Sequence, residues 1–342
     1  MSDRLPFDDD RDHLANGVLR LLALDEDQLE RWCALAGRQN GPTVERLAAG
    51  WRELRPAPPT TVDASHAVSP GPGGCEGVLW HSAIAETPSV GFARSRDGRL
   101  AWLVQHDGDR WSWVTEPPAY EEQYFEGDRA AGGYGAYREE ATWRLEKAAR
   151  QVRELHAATG IAAGRVLDIG SGYGYFRVAL EEAGYEHEGL EISEHGRAVA
   201  HELYGQHTHA GVLDDRWQSW PSRFDAVTAF DLIEHLSDPV DFLAKVRHVL
   251  RPGGCIGLKT PNIDAPEADV LGPHYHSLKR EHLVLFSPES LTAAATAAGL
   301  ELVETTTISH LLRGFVGRET CAEWERQGRG ADIVAWYRRP TA

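Results

Sequence analysis

Beyond residue 160 the chain alternates short apolar runs with longer stretches whose apolar positions recur every three or four residues. The runs predict strands near 165–169, 186–191, 208–212, 224–230, 254–260, 300–308 and 331–337. Between them the helical spacing predicts helices over 174–184, 193–204, 239–250 and 287–299. Ser287-Pro288 opens the last helix with a capping hydroxyl and a proline in the first turn. Such alternation implies an α/β fold, a parallel sheet built from these seven strands with helices on both faces.

The amino-terminal third has a different pattern. Leu14, Val18, Leu21 and Leu22, then Leu29, Trp32 and Leu35, predict helices within 11–54. A stretch rich in proline and glycine covers 55–76 and reads as a linker. Residues 77–115 carry Trp80, Phe92, Trp102, Trp111 and Trp113 between turns at Asp97-Gly98 and Asp107-Gly108, which predicts a small antiparallel sheet. The expected organisation is an α+β auxiliary domain over 1–115, a connecting segment with a long helix (about 138–157) over 116–160, and the α/β domain over 161–342.

The most informative local pattern is Val166-Leu167-Asp168-Ile169-Gly170-Ser171-Gly172-Tyr173-Gly174, a strand entering a glycine-dense turn. A second strand follows and ends on an acid, Gly189-Leu190-Glu191. Glycines let backbone approach a ligand, and an acid closing the second strand can accept hydrogen bonds from a ribose diol. The pair describes a pocket for an adenosine-bearing cofactor. A dinucleotide turn needs a third glycine where Tyr175 stands, and Asp168 carries the wrong charge for a pyrophosphate, so a nicotinamide-dependent oxidoreductase is disfavoured.

The spacing resembles the first motif of the class I S-adenosylmethionine (SAM) methyltransferases. Phe224 to Asp231, Leu232-Ile233-Glu234-His235-Leu236-Ser237-Asp238-Pro239, Leu250-Arg251-Pro252-Gly253-Gly254, Lys259-Thr260-Pro261-Asn262 and Glu281 to Ser287 resemble the ubiquinone-biosynthesis-like branch, over residues 120–342. The resemblance implies a Rossmann-like, mostly parallel seven-stranded sheet with an antiparallel last strand at 331–337, and SAM as cofactor, with S-adenosylhomocysteine as product. It implies that Gly170, Ser171, Gly172 and Gly174 hold the methionine part, with Asp168 near its ammonium, Glu191 on the ribose, and Ile192, Val212, Leu213, Asp214 and Phe230 around the rest of the cofactor.

Asp231 and His235, just beyond the fourth strand, are the candidate catalytic groups, since imidazole is matched to proton transfer near neutral pH. Tyr124, in an aromatic segment that forms a lid in related enzymes, and His274, Tyr275, His276 and His282, on the loop after the fifth strand, are the candidate substrate contacts. Imidazole and carboxylate in that loop are also metal donors, but their spacing follows no helix face, and no metal is expected.

Composition narrows the partners. A formal charge of −17 disfavours nucleic acid, which needs clustered Lys and Arg. Four scattered cysteines form no zinc or disulfide pattern, which suits a reducing cytoplasm, and no apolar run has the length of a membrane span. The expected function is methyl transfer to a small molecule, O-methylation first and N- or C-methylation behind it, with a role in specialised metabolism. A SAM-binding protein without catalysis is the rival. The auxiliary domain would shape the acceptor pocket or mediate a homodimer.

Overall fold

The computed structural model describes residues 77–81, 90–95, 100–106, 111–116, 120, 122–126, 137–266, 268, 275, 277–309 and 318–341. The expected helices within 11–54, the linker over 55–76, and His274 and His276 lie outside the described residues.

Two sheets organise the described chain. Strands β1 (Gly77–His81), β2 (Val90–Ser95), β3 (Leu100–His106) and β4 (Trp111–Trp113) form an antiparallel sheet. Two helices follow, α1 (Glu122–Glu126) and α2 (Ala141–Thr159). The second sheet is laid down as β5 (Arg165–Ile169), α3 (Tyr175–Glu182), β6 (Glu186–Glu191), α4 (Glu194–Tyr204), β7 (Thr208–Ala210), β8 (Phe224–Phe230), α5 (Pro239–Val249) and β9 (Leu250–Pro261). Strand β10 (Val284–Phe286), helix α6 (Pro288–Ala297), β11 (Glu301–Ile308), α7 (Arg318–Arg326) and β12 (Asp332–Arg338) complete the order.

The second sheet has seven strands in the order β11-β12-β9-β8-β5-β6-β7. The pairs from β9 to β7 are parallel, and β12 runs antiparallel to both β9 and β11. After β7 the chain crosses back to lay β8 on the other side of β5, so the strand order switches between β5 and β8. A crevice for a ligand opens at such a switch, at the carboxyl ends of the strands.

Local chemistry explains the boundaries. Helix α4 starts where Ser193 accepts from Gly196 N, and α5 where Asp238 accepts from Asp241 N ahead of Pro239. Helix α6 begins with the expected Ser287 cap and Pro288. Strand β7 stops at Ala210, short of the expected 212, because Gly211 turns the chain at φ +99°. Strand β9 is longer than expected and takes in the Arg251-Pro252-Gly253-Gly254 turn.

The small sheet does not stand apart from the large one. Strand β10 pairs with β3 through Val284–Trp102, Leu285–Ala101 and Phe286–Leu100, and Asn262 at the end of β9 bridges to Phe286. Phe92, Trp102 and Leu103 share one apolar core with Ile233, Leu283, Leu285 and Ile256. The sheet expected as a separate unit over 77–115 is therefore completed by a strand from the loop after β9.

Candidate active site

A cavity of about 390 Å³ lies at the switch point, lined by the carboxyl ends of β5, β6 and β8 and by one face of α2. Strand β5 delivers Asp168 and the turn Gly170-Ser171-Gly172-Tyr173-Gly174 into it. All three glycines have positive φ, between +51° and +81°, which L side chains adopt at a cost. Gly174 is the most constrained: an added Cβ would stand 2.0 Å from Gln206 Oε1. That glycine does not line the cavity, contrary to expectation. It sits at the amino end of α3, where its left-handed backbone starts the helix at Tyr175.

Glu191 closes β6 with a buried carboxylate. Its Oε2 accepts from Gly172 N at 2.8 Å and its Oε1 from Ser193 N at 2.8 Å. Burial pushes its pKa up, against the two backbone N–H groups that favour the charge. Asp168 is also buried and accepts from Thr228 Oγ1 at 2.8 Å. Burial raises its pKa to about 7, opposed by the Thr228 bond and Arg177. Beside it, the Ser171 hydroxyl is buried with no hydrogen-bond partner. Ile192 and Val212, 54% and 43% exposed, offer apolar surface at the rim, with Leu213 buried behind them. Asp214 lines the same end and takes Lys245 Nζ at 2.7 Å.

At the other end, Phe230 and Asp231 finish β8. Asp231 is left-handed at φ +53°, a strained conformation for a side chain with a Cβ. Lys259 Nζ meets its Oδ1 at 2.8 Å and Lys147 Nζ its Oδ2 at 3.4 Å. Burial opposes ionisation, but the two ammonium groups prevail and hold its pKa well below the carboxylate range. Lys259 also bonds Asp332 Oδ2 at 2.5 Å.

His235 follows in a short 3₁₀ turn and lines the cavity. Its Nδ1 lies 2.7 Å from Glu281 O and 3.0 Å from Tyr120 Oη. A carbonyl can only accept, so Nδ1 carries the proton and Nε2 keeps its lone pair. Burial lowers the pKa to about 4. His282 stands with its ring centroid 4.9 Å away, nearly perpendicular, and its Nδ1 donates to Ser277 O at 2.9 Å. Among the described residues, donor atoms of Glu234, His235 and His282 lie within 4.8 Å of one another, and Glu234 Oε2 accepts from Thr260 Oγ1.

The structure thus brings Asp168, Gly170, Ser171, Gly172, Glu191, Ile192, Val212, Leu213, Asp214, Phe230, Asp231, His235 and Tyr124 to one cavity. Tyr275 and His282, expected as substrate contacts, are not on its wall. Both are buried, and Tyr275 donates to Asn262 O at 3.1 Å, because the chain after β9 turns inward to form β10. Sequence reasoning missed Tyr120, Tyr137 and a stripe on α2, Arg144, Lys147 and Gln151. Their helical spacing was readable, but which way α2 faced was not.

The segment around Phe125, expected as a lid, is strapped down by polar contacts. Glu126 Oε1 accepts from Tyr173 Oη at 2.6 Å, Tyr173 Oη lies 2.8 Å from His195 Nε2, and Phe125 stacks on Tyr173. Arg138 reaches Glu202 with both guanidinium ends.

The family profile described as a methyltransferase domain matches residues 137–305. Ubiquinone biosynthesis O-methyltransferases are similar in sequence. That of Aromatoleum aromaticum is 32% identical over 157 residues, covering 42% of this chain and 67% of its own. That of Thiobacillus denitrificans is 28% identical over 172 residues, covering 47% and 74%. Among solved structures, a SAM-dependent methyltransferase from Archaeoglobus fulgidus matches 59% of this chain and 98% of its own, at 17% identity and a TM-score of 0.46. One from Mesorhizobium loti matches 57% and 100%, at 19% identity and a TM-score of 0.43. The chain belongs to the class I SAM-dependent methyltransferases, related to the ubiquinone-biosynthesis-like enzymes.

Proposed function

We propose that the protein is a SAM-dependent methyltransferase that O-methylates a small molecule in specialised metabolism. The observation that carries the reading is the paired anchoring of Glu191 and the glycine turn beside the orphan hydroxyl of Ser171. The group implied by the fold fits these residues. Each Glu191 oxygen spends one lone pair on backbone and keeps another for a ribose hydroxyl. The unpartnered Ser171 hydroxyl would gain a partner, Asp168 would face the cofactor's ammonium, and Ile192 and Val212 would take an apolar ring face.

When bound, SAM supplies an electrophilic methyl group. The chain's own residues align the acceptor, exclude water and hold charge. Asp231, kept ionised above all by Lys259, is a fixed negative charge at the end of β8. His235, neutral and held by Glu281 O, presents an imidazole edge to the acceptor beside Tyr120 and Tyr124. The lid segment around Phe125 limits access of water. Asp231 is a quarter exposed on an open cavity, which favours turnover over a SAM-binding protein without catalysis. O-methylation is supported by the named activity of the sequence relatives, and a small acceptor by the cavity volume of about 390 Å³ and the charge of −17.

Titration with S-adenosylhomocysteine in a calorimeter tests the reading. Micromolar binding is expected; absence of binding would refute it. No metal is needed in this mechanism, so chelator should leave turnover unchanged. A loss restored by a divalent ion would place metal at Glu234, His235 and His282.

A further inference from the structure

Methylating a hydroxyl or an N–H group releases a proton, and the two catalytic groups expected from sequence are poorly suited to take it. The Asp231 carboxylate is engaged by two lysines, and the Nδ1 proton of His235 is committed to Glu281 O while burial keeps the ring weakly basic. We infer that Lys147 is the proton acceptor of this cavity. The inference rests on the methyl-transfer reading above.

The geometry singles out Lys147. It lies on the cavity-facing stripe of α2, its side chain is a quarter exposed, and its only hydrogen bond or ion pair among the described residues is the 3.4 Å approach to Asp231 Oδ2, with the Trp143 ring centroid 5.7 Å from Nζ. Lys259, from β9, takes the other oxygen of Asp231 at 2.8 Å and is also bound to Asp332 on β12. Two carboxylates are thus served by two ammonium groups, and Lys147 is the one held most loosely and nearest the open space.

The groups that face it act in both directions. Asp231 and Asp332 favour its charged form, while burial, Lys259 and Arg144 on its own helix oppose it, and the balance lowers its pKa. Glu154, further along α2, feels its charge as well. A bound sulfonium would add a positive charge to this end of the cavity and favour the neutral amine further. In the reaction the acceptor's proton passes to the Nζ lone pair while its oxygen bonds the methyl carbon. The electron pair of the broken carbon–sulfur bond stays on sulfur, leaving a neutral thioether, and the ammonium returns its proton to water.

Two measurements need no acceptor. The first is competitive acetylation of wild-type protein by acetic anhydride across pH, followed at the Lys147 peptide by mass spectrometry. Lys147 should titrate below the exposed lysines, the direction that burial, Lys259 and Arg144 impose. The second is the ratio of SAM to S-adenosylhomocysteine affinity by calorimetry over the same range. The two ligands differ in the sulfonium charge, so effects on the shared ammonium cancel, and readings above about pH 8, where Asp168 with its pKa of about 7 is already ionised, report on Lys147. The ratio should rise about tenfold as Lys147 loses its proton, a difference of one pKa unit in linked binding. It should be flat in Lys147→Met, and flat at the low value in Lys147→Arg, whose guanidinium keeps its proton. A normal labelling midpoint, or a flat ratio in the wild type, overturns the assignment while S-adenosylhomocysteine still binds. Failure of S-adenosylhomocysteine to bind would instead remove the methyltransferase reading itself.

Discussion

At the scale of single residues, the Glu191 carboxylate would join two jobs, since the oxygens proposed to receive a ribose also hold Gly172 and Ser193 by their backbone N–H groups. Glu191→Ala should therefore weaken S-adenosylhomocysteine binding by about 1.5–3 kcal/mol, the scale for a hydrogen bond to a charged group, measured by calorimetry. Unchanged affinity would refute the ribose role. Asp168 gives a pH-dependent expectation. Its pKa is raised by burial from 3.8 to about 7, so between these values the folded state binds more protons than the unfolded state. Stability from this group is then greatest at low pH and falls as pH rises towards 7. Asp168→Asn, which keeps an acceptor for Thr228, should match the wild-type melting temperature near pH 4 and exceed it at pH 8, while losing cofactor affinity. Equal melting temperatures at pH 8 would show that Asp168 ionises without cost. The type and spacing of these acids were legible in sequence. Their shifts were not, because desolvation depends on how the surrounding chain packs.

At the scale of elements, the strands and helices from β5 to β12 follow the periodicity closely, since a run such as Phe224–Phe230 can satisfy its backbone only inside a sheet. The short strand β10 was not legible. Three residues, Val284-Leu285-Phe286, carry too little pattern to reveal a strand, and their partner β3 lies far back in the chain. Yet β10 and the residues just before it tie the small sheet to the cavity: Leu103 N donates to Leu283 O, Leu283 N to Glu234 O, and His235 Nδ1 to Glu281 O. Leu285→Ala, at a fully buried position, should cost about 2–5 kcal/mol in urea unfolding. Leu302→Ala on the edge strand β11, where the side chain is 49% exposed, should cost under about 1 kcal/mol. Similar losses at the two positions would mean that β10 is not a core strand.

At the scale of the whole molecule, one apolar core runs from Phe92 and Trp102 through Leu285 to Ile256 and Tyr337. Calorimetry should accordingly record a single unfolding transition whose van't Hoff and calorimetric enthalpies agree. Two separated transitions would restore an independent auxiliary sheet. Among the described residues no helix is long and apolar enough to cross a membrane. The sequence by itself determined the α/β class, the strand and helix order from β5 onward, the glycine turn and the acids at the ends of β5, β6 and β8. These depend on local period, turn chemistry and the rule that ligands meet the carboxyl ends of parallel strands. Only the tertiary structure decided that α2 turns Arg144 and Lys147 towards the cavity, that Asp231 lies between two lysines, and that Tyr275 and His282 are packed inside. Those outcomes depend on how distant elements are oriented against one another, and no local spacing along the chain records that orientation.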